Sequence, residues 1–236
     1  MAGWGHTAAC WERLMIPGAE VEGLSLPGHE PEGLEDPGCT LETAAEALTG
    51  DWDVVVGWSL GGLAAMEAQR VGLIRCRGLV LIGTPPSFVA RASYPQGQDP
   101  VVLEDFRAGM ADNPTATLRR FFALQFRGDQ APRSMWAPTP IRNRLLATGA
   151  GPEILAGWLD VLAGTDLTRD PPLLDLPVLV IHGEADAVVD PGAVRFFQDL
   201  GPQVSVHIVS GSGHAPHISH AQEAEQRIGE FVRTLA

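Results

Sequence analysis

The chain has 236 residues, and its 29 acidic and 16 basic residues give a formal net charge of −13. This length can hold one α/β domain with an insertion and a substantial buried core. The charge argues against a nucleic acid partner, because phosphate binding needs a basic surface. No stretch approaches the ~20 apolar residues of a membrane span, and the N-terminus lacks a basic segment followed by an apolar run. We therefore expect a cytoplasmic protein without membrane contact.

Apolar, β-branched runs alternate with helical patterns along most of the chain. From the N-terminus, strands are expected at residues 19–26, 53–58, 78–83, 177–183 and 204–209. Helices are expected between them, at residues 40–48, 60–71, 191–200 and 221–235. This alternation predicts an α/β fold, with a mostly parallel sheet and helices on both faces.

The alternation fails between the third and fourth expected strands. This stretch is amphipathic, contains no convincing strand, and is helical at residues 101–110, 115–126 and 152–162. We interpret residues 85–170 as a helical cap inserted into one α/β core, whose two parts are residues 1–84 and 171–236.

Three valines lead straight into Gly57-Trp58-Ser59-Leu60-Gly61, and a helical pattern follows. A G-x-S-x-G sequence between a strand and a helix is typical of a nucleophile elbow. A serine on such a sharp turn is held in a strained conformation, and only glycine tolerates the crowding around it cheaply. The pattern predicts that Ser59 is the nucleophile of a serine hydrolase.

A serine nucleophile needs a base and an orienting carboxylate, which in this architecture follow it on loops after later strands. The fourth expected strand ends in a turn that holds Asp186, our candidate for the acid. Glu184 is an alternative in the same turn, whereas Asp190 precedes a proline and is expected to cap the next helix. The last expected strand leads into a loop of small residues that ends at His214, the candidate general base.

The oxyanion of the reaction needs backbone N–H donors. One is expected from Leu60, the residue after the nucleophile, and the other from a loop after an early strand. The only suitable loop is Gly3-Trp4-Gly5, which makes the Trp4 amide the second donor and its indole a wall of the acyl pocket. The alternative is that Trp4 is a disordered terminal residue.

The other histidines and the cysteines suggest no further chemistry. Packed or surface imidazoles are the simplest interpretation of His6, His29, His182 and His207. His217 and His220 follow His214 at intervals of three, but histidines so spaced do not share one helix face, and we expect no metal site. Scattered cysteines, odd in number, are interpreted as reduced thiols: Cys10, Cys39 and Cys76.

All 16 basic residues are arginine, and six of them lie within 26 residues that contain one acid, Asp129. The six are Arg119, Arg120, Arg127, Arg133, Arg142 and Arg144. They form either a solvated helix face or a docking surface for an anionic partner.

In its motifs the chain resembles the pimeloyl-[acyl-carrier protein] methyl ester esterases of biotin synthesis, within the α/β-hydrolase superfamily. The matching segments span nearly the whole chain: Gly3-Trp4-Gly5, Leu26-Pro27-Gly28, the elbow with Gly62-Leu63, Phe121-Phe122-Ala123-Leu124-Gln125, and His214-Ala215-Pro216 with Ile218-Ser219-His220. The most discriminating are the elbow tryptophan, the Phe-x-Ala-Leu-Gln segment and the His-Ala-Pro-x-Ile-Ser-His segment.

This resemblance implies an α/β-hydrolase fold and a carboxylic ester hydrolase with Ser59, Asp186 and His214 as its triad. It implies a reaction that releases methanol from the far end of a carrier-bound pimeloyl chain, without a metal or redox cofactor. The residues that it places along the substrate channel are Trp4, Leu60, Phe121, Phe122, Ala123, Leu124 and Gln125.

The resemblance also gives the arginines a partner, since acyl-carrier proteins are acidic and an enzyme of this charge would repel one without a locally basic surface. Arg120 and Arg133 lie where that family has docking arginines. Arg119 and Arg127 are neighbours without an obvious counterpart. We expect a monomer that binds an acyl-carrier protein.

The start of the chain departs from that family, which has a histidine before the tryptophan loop and further strands before that. One such strand would lie beside the elbow strand, and without it two rows of backbone groups would face a gap. Each unpaired buried group costs about 1–3 kcal/mol, against a total stability of about 5–15 kcal/mol. We therefore hypothesise that N-terminal strands are missing and that Met1 is a misplaced start or a truncation. Phe122 and His217 also differ from the residues expected there, and such changes could tune the channel.

Two other functions remain open. A general short-chain carboxylesterase or C–C bond hydrolase of the same fold would share the triad and not need the arginines. A catalytically inactive member used as a binding module would need neither, although a complete triad argues against it.

Overall fold

The computed structural model describes residues 1–30, 38–133, 148–172 and 174–235. Its strands are β1 (Gly50–Asp51), β2 (Val54–Trp58), β3 (Ile74–Arg75), β4 (Gly78–Ile82), β5 (Val178–Gly183) and β6 (Val204–Val209). Its α-helices are α1 (Leu41–Glu46), α2 (Leu60–Arg70), α3 (Pro100–Asp112), α4 (Pro114–Gln125), α5 (Pro152–Gly164), α6 (Val194–Gln198), α7 (Pro216–Ser219) and α8 (Ala221–Thr234). Short 3₁₀-helices cover Ala8–Trp11 and Pro191–Ala193.

Strands β2, β4, β5 and β6 form one sheet in that order, and each neighbouring pair is parallel. Along one line across the sheet, Val56 pairs with Val80, Val80 with Leu179, and Leu179 with Ser205. The short strands β1 and β3 form a separate parallel pair. Because the carboxyl ends of parallel strands meet at one edge of a sheet, the loops after β2, β5 and β6 converge there.

Both faces of this sheet are buried, as the alternation of strands and helices predicts. On β4, Leu81 belongs to the core cluster that contains Leu63 of helix α2. The next residue, Ile82, belongs to the cluster on the other face, which contains Ile228 of helix α8. Successive side chains of a strand point to opposite faces, so one strand supplies both layers. The prediction of a parallel sheet covered on both sides is confirmed.

The first two residues lie beside the elbow strand. The Met1 nitrogen donates to the Val56 carbonyl at 2.7 Å, and the Trp58 N–H donates to the Met1 carbonyl at 3.1 Å. On the other side, the Ala2 N–H donates to the Leu24 carbonyl at 2.8 Å. The hypothesis of further N-terminal strands stays a prediction.

The prediction of a strand at residues 19–26 is wrong, because these residues form no strand in the structure. The segment lies beyond Ala2, with which it makes one backbone hydrogen bond, through Leu24. Its Gly23 packs closely on the Ala8 carbonyl, which an added Cβ would approach within 3.0 Å. The segment therefore packs on the 3₁₀-helix through Gly23 and forms no ladder of strand hydrogen bonds.

Within the described residues, helices α3, α4 and α5 lie between β4 and β5 in the sequence. Asp99 and Asn113 cap α3 and α4 by accepting N–H groups of the first turn at 3.0 Å, and a proline follows each cap. Helix α3 packs against both α4 and α5. None of the helices within the described ranges is long and apolar enough to cross a membrane. The division at residues 85 and 170 stays a prediction.

Candidate active site

Ser59 sits between β2 and α2 in a backbone conformation that side chains rarely adopt. Its φ of 54° and ψ of −118° make it the one positive-φ residue other than glycine in the described chain. The Ser59 N–H donates to the Ile82 carbonyl at 2.8 Å, which fixes the turn to the end of β4. Such strain costs about 1–3 kcal/mol and clusters at functional sites.

The glycines around Ser59 are required by close backbone approach. A Cβ on Gly57 would lie 2.5 Å from both the Gly61 carbonyl and the Gly62 Cα, and a Cβ on Gly62 would overlap Thr84. The strand and the helix can therefore meet at this angle only without side chains at these positions. At Gly57 this is the steric need that the G-x-S-x-G pattern predicts, and Gly62 extends it by one residue.

The candidate acid and base meet in the loops after β5 and β6. The His214 Nδ1 lies 2.8 Å from the Asp186 Oδ2, and both side chains are fully buried. The other carboxylate oxygen, Oδ1, accepts the N–H groups of Val188 and Val189 at 2.8 and 2.9 Å. Since an ionised carboxylate only accepts, His214 carries a proton on Nδ1. Its Nε2 is buried and has no hydrogen-bond partner among the described residues, so this atom is available to accept a proton.

The environment of Asp186 keeps it ionised. Burial raises the pKa of this carboxyl, but the charge of His214 and the hydrogen bonds from His182 and His214 outweigh burial. The net result is a pKa of Asp186 well below its usual range. Such a group can stabilise an imidazolium without taking its proton.

The two other acids near this turn have different partners. Glu184 accepts hydrogen bonds from the Ser210 hydroxyl at 2.7 Å and from the Gly211 N–H at 3.0 Å. Asp190 accepts the Gly192 N–H at 2.7 Å and caps the short helix Pro191–Ala193, as predicted. The structure therefore brings Asp186, and neither of these, against His214.

The loop that carries His214 is held by helix α4 and by the residues just after it. The His214 N–H donates to the Gln125 carbonyl at 2.7 Å, and the Gly213 N–H donates to the Asp129 Oδ2 at 2.9 Å. From the elbow side, the Trp58 indole N–H donates to the His214 carbonyl at 2.9 Å. These bonds fix the backbone of the candidate base between the sheet and the α3–α5 helices.

Trp4 is a buried, ordered residue, and the alternative of a disordered terminus is wrong. Its side chain is 2% exposed, and its indole N–H donates to the Leu155 carbonyl at 2.8 Å. The preceding residue, Gly3, is so close to Ser59 that an added Cβ would lie 3.3 Å from the serine Cβ. Within the described part of the chain, neither the Trp4 nor the Leu60 backbone N–H has a protein acceptor. Both candidate oxyanion donors are therefore available.

An apolar pocket opens onto Ser59 under the α3–α5 helices. Ten of its twelve lining residues are apolar, and its free volume is about 20 Å³, which is room for about one water molecule. The lining residues are Trp4, Ser59, Phe88, Gln98, Val102, Leu103, Phe106, Phe121, Leu124, Leu159, Leu162 and Val188.

The candidate channel segment 121–125 is divided between several environments. Phe121 and Leu124 line the Ser59 pocket, and the Phe121 ring packs edge-on against Trp4 at 4.8 Å between centroids. Phe122 belongs to the core cluster on the other face of the sheet, and Gln125 is buried with its side-chain amide beside the His6 Nε2. The last member, Ala123, is exposed on the outer surface of α4, and Leu60 is fully buried without lining the pocket.

The arginines of the basic window lie along and after helix α4. Arg120 and Arg127 line an outer groove with Ala123, and the Arg120 guanidinium stacks over the Phe106 ring at 4.4 Å. Arg119 and Arg133 are exposed. Arg142 and Arg144 lie outside the described residues.

The three histidines of the 214–220 segment contact different partners. The His217 ring packs between Trp11 and Trp58, with centroids 4.8 and 4.6 Å away. The His220 Nδ1 lies 3.0 Å from the Ser219 hydroxyl. Within the described ranges, no group of three or more His, Cys, Asp or Glu side chains is arranged to hold a metal ion.

Sequence patterns indicate no role in the site for three polar side chains that lie near it. His182 lies 3.1 Å from Asp186, and its only sequence signal is its place four residues earlier, at the end of the same strand. The only sequence signal of Asp129 is that it is the one acid in the arginine-rich residues 119–144. His29 follows a Pro-Gly turn, and its Nε2 accepts the Gly5 N–H at 3.1 Å. Burial lowers the pKa of His29 to about 4, which keeps it a neutral acceptor for the tryptophan loop.

Comparison with known proteins gives consistent relatives. The sequence profile of the alpha/beta hydrolase family matches residues 2–227. A pimeloyl-[acyl-carrier protein] methyl ester esterase of Stenotrophomonas maltophilia is 36% identical over 181 residues, which cover 76% of this chain and 69% of the relative. A protein of the same name from Photobacterium profundum is 30% identical over 240 residues, which cover 98% and 92% of the two chains.

Solved structures agree on the fold. An esterase from Exiguobacterium antarcticum superposes with a TM-score of 0.85 at 18% identity, over 98% of this chain and 89% of the other. A bromoperoxidase from Bacillus anthracis has the same TM-score and coverage at 23% identity. The chain therefore belongs to the alpha/beta hydrolase family, in the group named pimeloyl-[acyl-carrier protein] methyl ester esterases, and is a carboxylic ester hydrolase.

Proposed function

We propose that this enzyme hydrolyses the terminal methyl ester of a carrier-bound pimeloyl chain, with Ser59, His214 and Asp186 as its triad. The observation that carries the proposal is the buried Asp186–His214 pair at the end of the sheet where strained Ser59 emerges. The names of the relatives supply the substrate.

In the first half of the reaction, the Ser59 Oγ attacks the ester carbonyl while the His214 Nε2 accepts its proton. The oxyanion is stabilised by the N–H groups of Trp4 and Leu60. His214 then gives the proton to the leaving methoxide, and methanol departs. In the second half, water attacks the acyl-enzyme, His214 accepts its proton and returns it to Ser59.

The apolar pocket suits an alkyl chain, but its free volume of about 20 Å³ is too small for the pimeloyl group. Binding therefore requires side chains of α3 and α4 to move. Val102, Phe106 and Leu124 are placed to do so, because they line both the Ser59 pocket and the outer groove. Displacing them would join the two spaces into one channel.

That channel would open beside Arg120 and Arg127, which line the outer groove. A partner with acidic residues and a phosphate on its prosthetic arm would meet positive charge at the point where the acyl chain enters. The net charge of −13 would otherwise repel such a partner. We therefore assign carrier-protein docking to Arg120 and Arg127, with Arg119 and Arg133 beside them. We propose that the 85–170 cap binds a single carrier protein and that the enzyme acts as a monomer.

Charge reversal tests this assignment. The Arg120→Glu/Arg127→Glu double variant is expected to lower kcat/KM about tenfold or more for the carrier-bound methyl ester, because rim charges act mainly on association. The same variant should hydrolyse a small 4-nitrophenyl ester at the unchanged rate. Arg195→Glu, an exposed arginine on helix α6, is the matched control and should affect neither substrate.

Equal losses on both substrates would refute the docking role. Faster turnover of the small ester than of the carrier-bound ester by the unchanged enzyme would favour the general short-chain esterase. Absence of hydrolysis of either ester by the folded protein would favour the inactive binding module.

A further inference from the structure

The Asp186 Oδ2 lies between two buried histidine rings. The His214 Nδ1 is 2.8 Å away and the His182 Nε2 is 3.1 Å away, and all three side chains have no exposed surface. The conventional description of the triad uses only the first of these contacts. The second places another imidazole directly on the carboxylate that orients the base.

The hydrogen bonding of His182 fixes where its proton lies. Its Nε2 is 3.1 Å from the Asp186 Oδ2 and also 3.1 Å from the Val189 carbonyl. Both of these atoms are acceptors, so the Nε2 carries the N–H. The Nδ1 is buried and has no hydrogen-bond partner among the described residues. The Nε2–H donates to the Val189 carbonyl, and the Asp186 Oδ2 lies at the same distance from that nitrogen, so the positive end of the N–H dipole lies next to the carboxylate.

Other charged or titratable groups around His182 and Asp186 interact with these two residues more weakly. Burial lowers the pKa of His182, but the hydrogen bond and charge of Asp186 more than offset burial, and Asp190 adds a smaller attraction. On the other side, His217 interacts with His214 and with His6, and burial holds the pKa of His217 well below its usual range. His217 is therefore neutral, and Asp186 is the one carboxylate in direct contact with both His182 and His214 among the described residues.

We propose that His182 is a positioning residue that sets the basicity of His214 by sharing the Asp186 carboxylate. This inference rests on the proposed roles of Ser59, Asp186 and His214. The positive end of the His182 N–H dipole beside Oδ2 stabilises the ionised carboxylate and weakens its attraction for the imidazolium that forms on His214 during attack. His182 disfavours the His214 imidazolium whether His182 itself is neutral or protonated, because both its N–H dipole and a positive charge oppose a second positive charge nearby.

The test removes the donor and follows the pH profile. In His182→Phe, the acid limb of kcat/KM for a small 4-nitrophenyl ester is expected to move to higher pH by about 0.5–1 unit, because Asp186 then acts on His214 alone. His182→Gln can keep an N–H near the same place and should restore most of the normal profile. His207→Phe is the matched control, since His207 lies on the adjacent strand and bonds to Glu223, away from Asp186.

Two further measurements separate this inference from the proposed function. In the Ser59→Ala background, the pH at which the His214 ring is half protonated can be followed by NMR without turnover, and it should rise with His182→Phe. In the protein with His182 intact, the His182 ring signal should shift with the same midpoint as His214. A folded His182→Phe protein with an unmoved acid limb would overturn the inference, and so would a His182 signal that ignores the His214 titration. Loss of all esterase activity with these NMR couplings intact would instead count against the proposed function.

Discussion

The carbonyl of Gln125, the last residue of helix α4, accepts the backbone N–H of His214 at 2.7 Å. The same helix carries Phe121 and Leu124 of the Ser59 pocket, and Arg120 of the outer groove. One helix therefore contacts the candidate base, the acyl pocket and the candidate docking surface. A displacement of α4 on substrate binding would therefore shift the backbone of His214 through this hydrogen bond.

Asp129 is expected to maintain this connection, because its carboxylate accepts the Gly213 N–H at 2.9 Å. Asp129→Ala leaves that buried N–H unpaired and should lower the free energy of unfolding by about 1–3 kcal/mol. It should also reduce kcat about tenfold, since small displacements of catalytic groups are costly. The control is Asp160→Ala, which removes an exposed pair with Arg107 and should cost under about 1 kcal/mol. Unchanged kcat in a folded Asp129→Ala enzyme would contradict this role.

Because the backbone at Ser59 is strained, we expect one substitution there to abolish activity and yet raise the free energy of unfolding. Ser59→Gly removes all catalysis by the triad and should also raise the free energy of unfolding by about 1 kcal/mol, because glycine adopts a positive φ without penalty. Ser59→Ala loses the same hydroxyl and keeps the Cβ, so it should stay near the original stability. Denaturant titration of the two variants measures the difference. Equal stabilities would contradict the expected net gain from relief of backbone strain.

Gly57 is expected to be irreplaceable for packing. In Gly57→Ala the new methyl would lie 2.5 Å from the backbone of residues 61 and 62, which cannot move aside as a side chain can. We expect a loss of at least about 1–3 kcal/mol, the usual cost of overpacking, or failure to fold. Gly164→Ala is the matched control, because nothing lies within 4 Å of its Cβ position at the end of α5. A Gly57→Ala protein as stable as the control would contradict the steric reading of the elbow.

Replacing His217 is expected to stabilise the protein by an amount that depends on pH. Its buried ring has no hydrogen-bond partner in the described structure, and burial holds its pKa well below the usual range. The unfolded chain binds a proton at this histidine below pH ~6.5 and the folded chain does not, so its contribution to stability falls as the pH drops. His217→Phe should therefore stabilise the protein by about 1.4 kcal/mol more at pH 5.5 than at pH 8.

Denaturant unfolding at the two pH values measures this difference. Phenylalanine fills the space between Trp11 and Trp58 with a ring of similar shape, so the packing stays comparable. An equal effect at both pH values would show that His217 is protonated in the folded protein or already neutral in the unfolded one.

The sequence predicted the sheet and the elbow, and it indicated the three positions that we propose as the triad, because the patterns behind these predictions are local. Strand periodicity, a glycine-flanked serine and loops after strands depend on neighbouring residues. The expected strand at 19–26 failed because strand pairing depends on what lies alongside, and here only Ala2 bonds to the segment, at Leu24.

The contacts that the sequence did not predict join distant segments. No pattern indicates that the Gln125 carbonyl meets His214, or that Asp129 bonds to the loop after β6. The sequence indicates a packed or surface imidazole at His182, and only the turn after β5 brings it within 3.1 Å of Asp186. Packing between elements, rather than propensity within them, decides these positions.

The most direct test of the proposed reaction is mass measurement of the carrier protein after incubation of its pimeloyl methyl ester with the enzyme in H₂¹⁸O. Acyl transfer through Ser59 predicts loss of the methyl group, release of unlabelled methanol and one ¹⁸O in the new carboxylate. Ser59→Ala should give no demethylated product above a slow background. An unchanged carrier mass with active, folded enzyme would contradict the proposed substrate, and ¹⁸O found in the methanol would contradict the acyl-enzyme route.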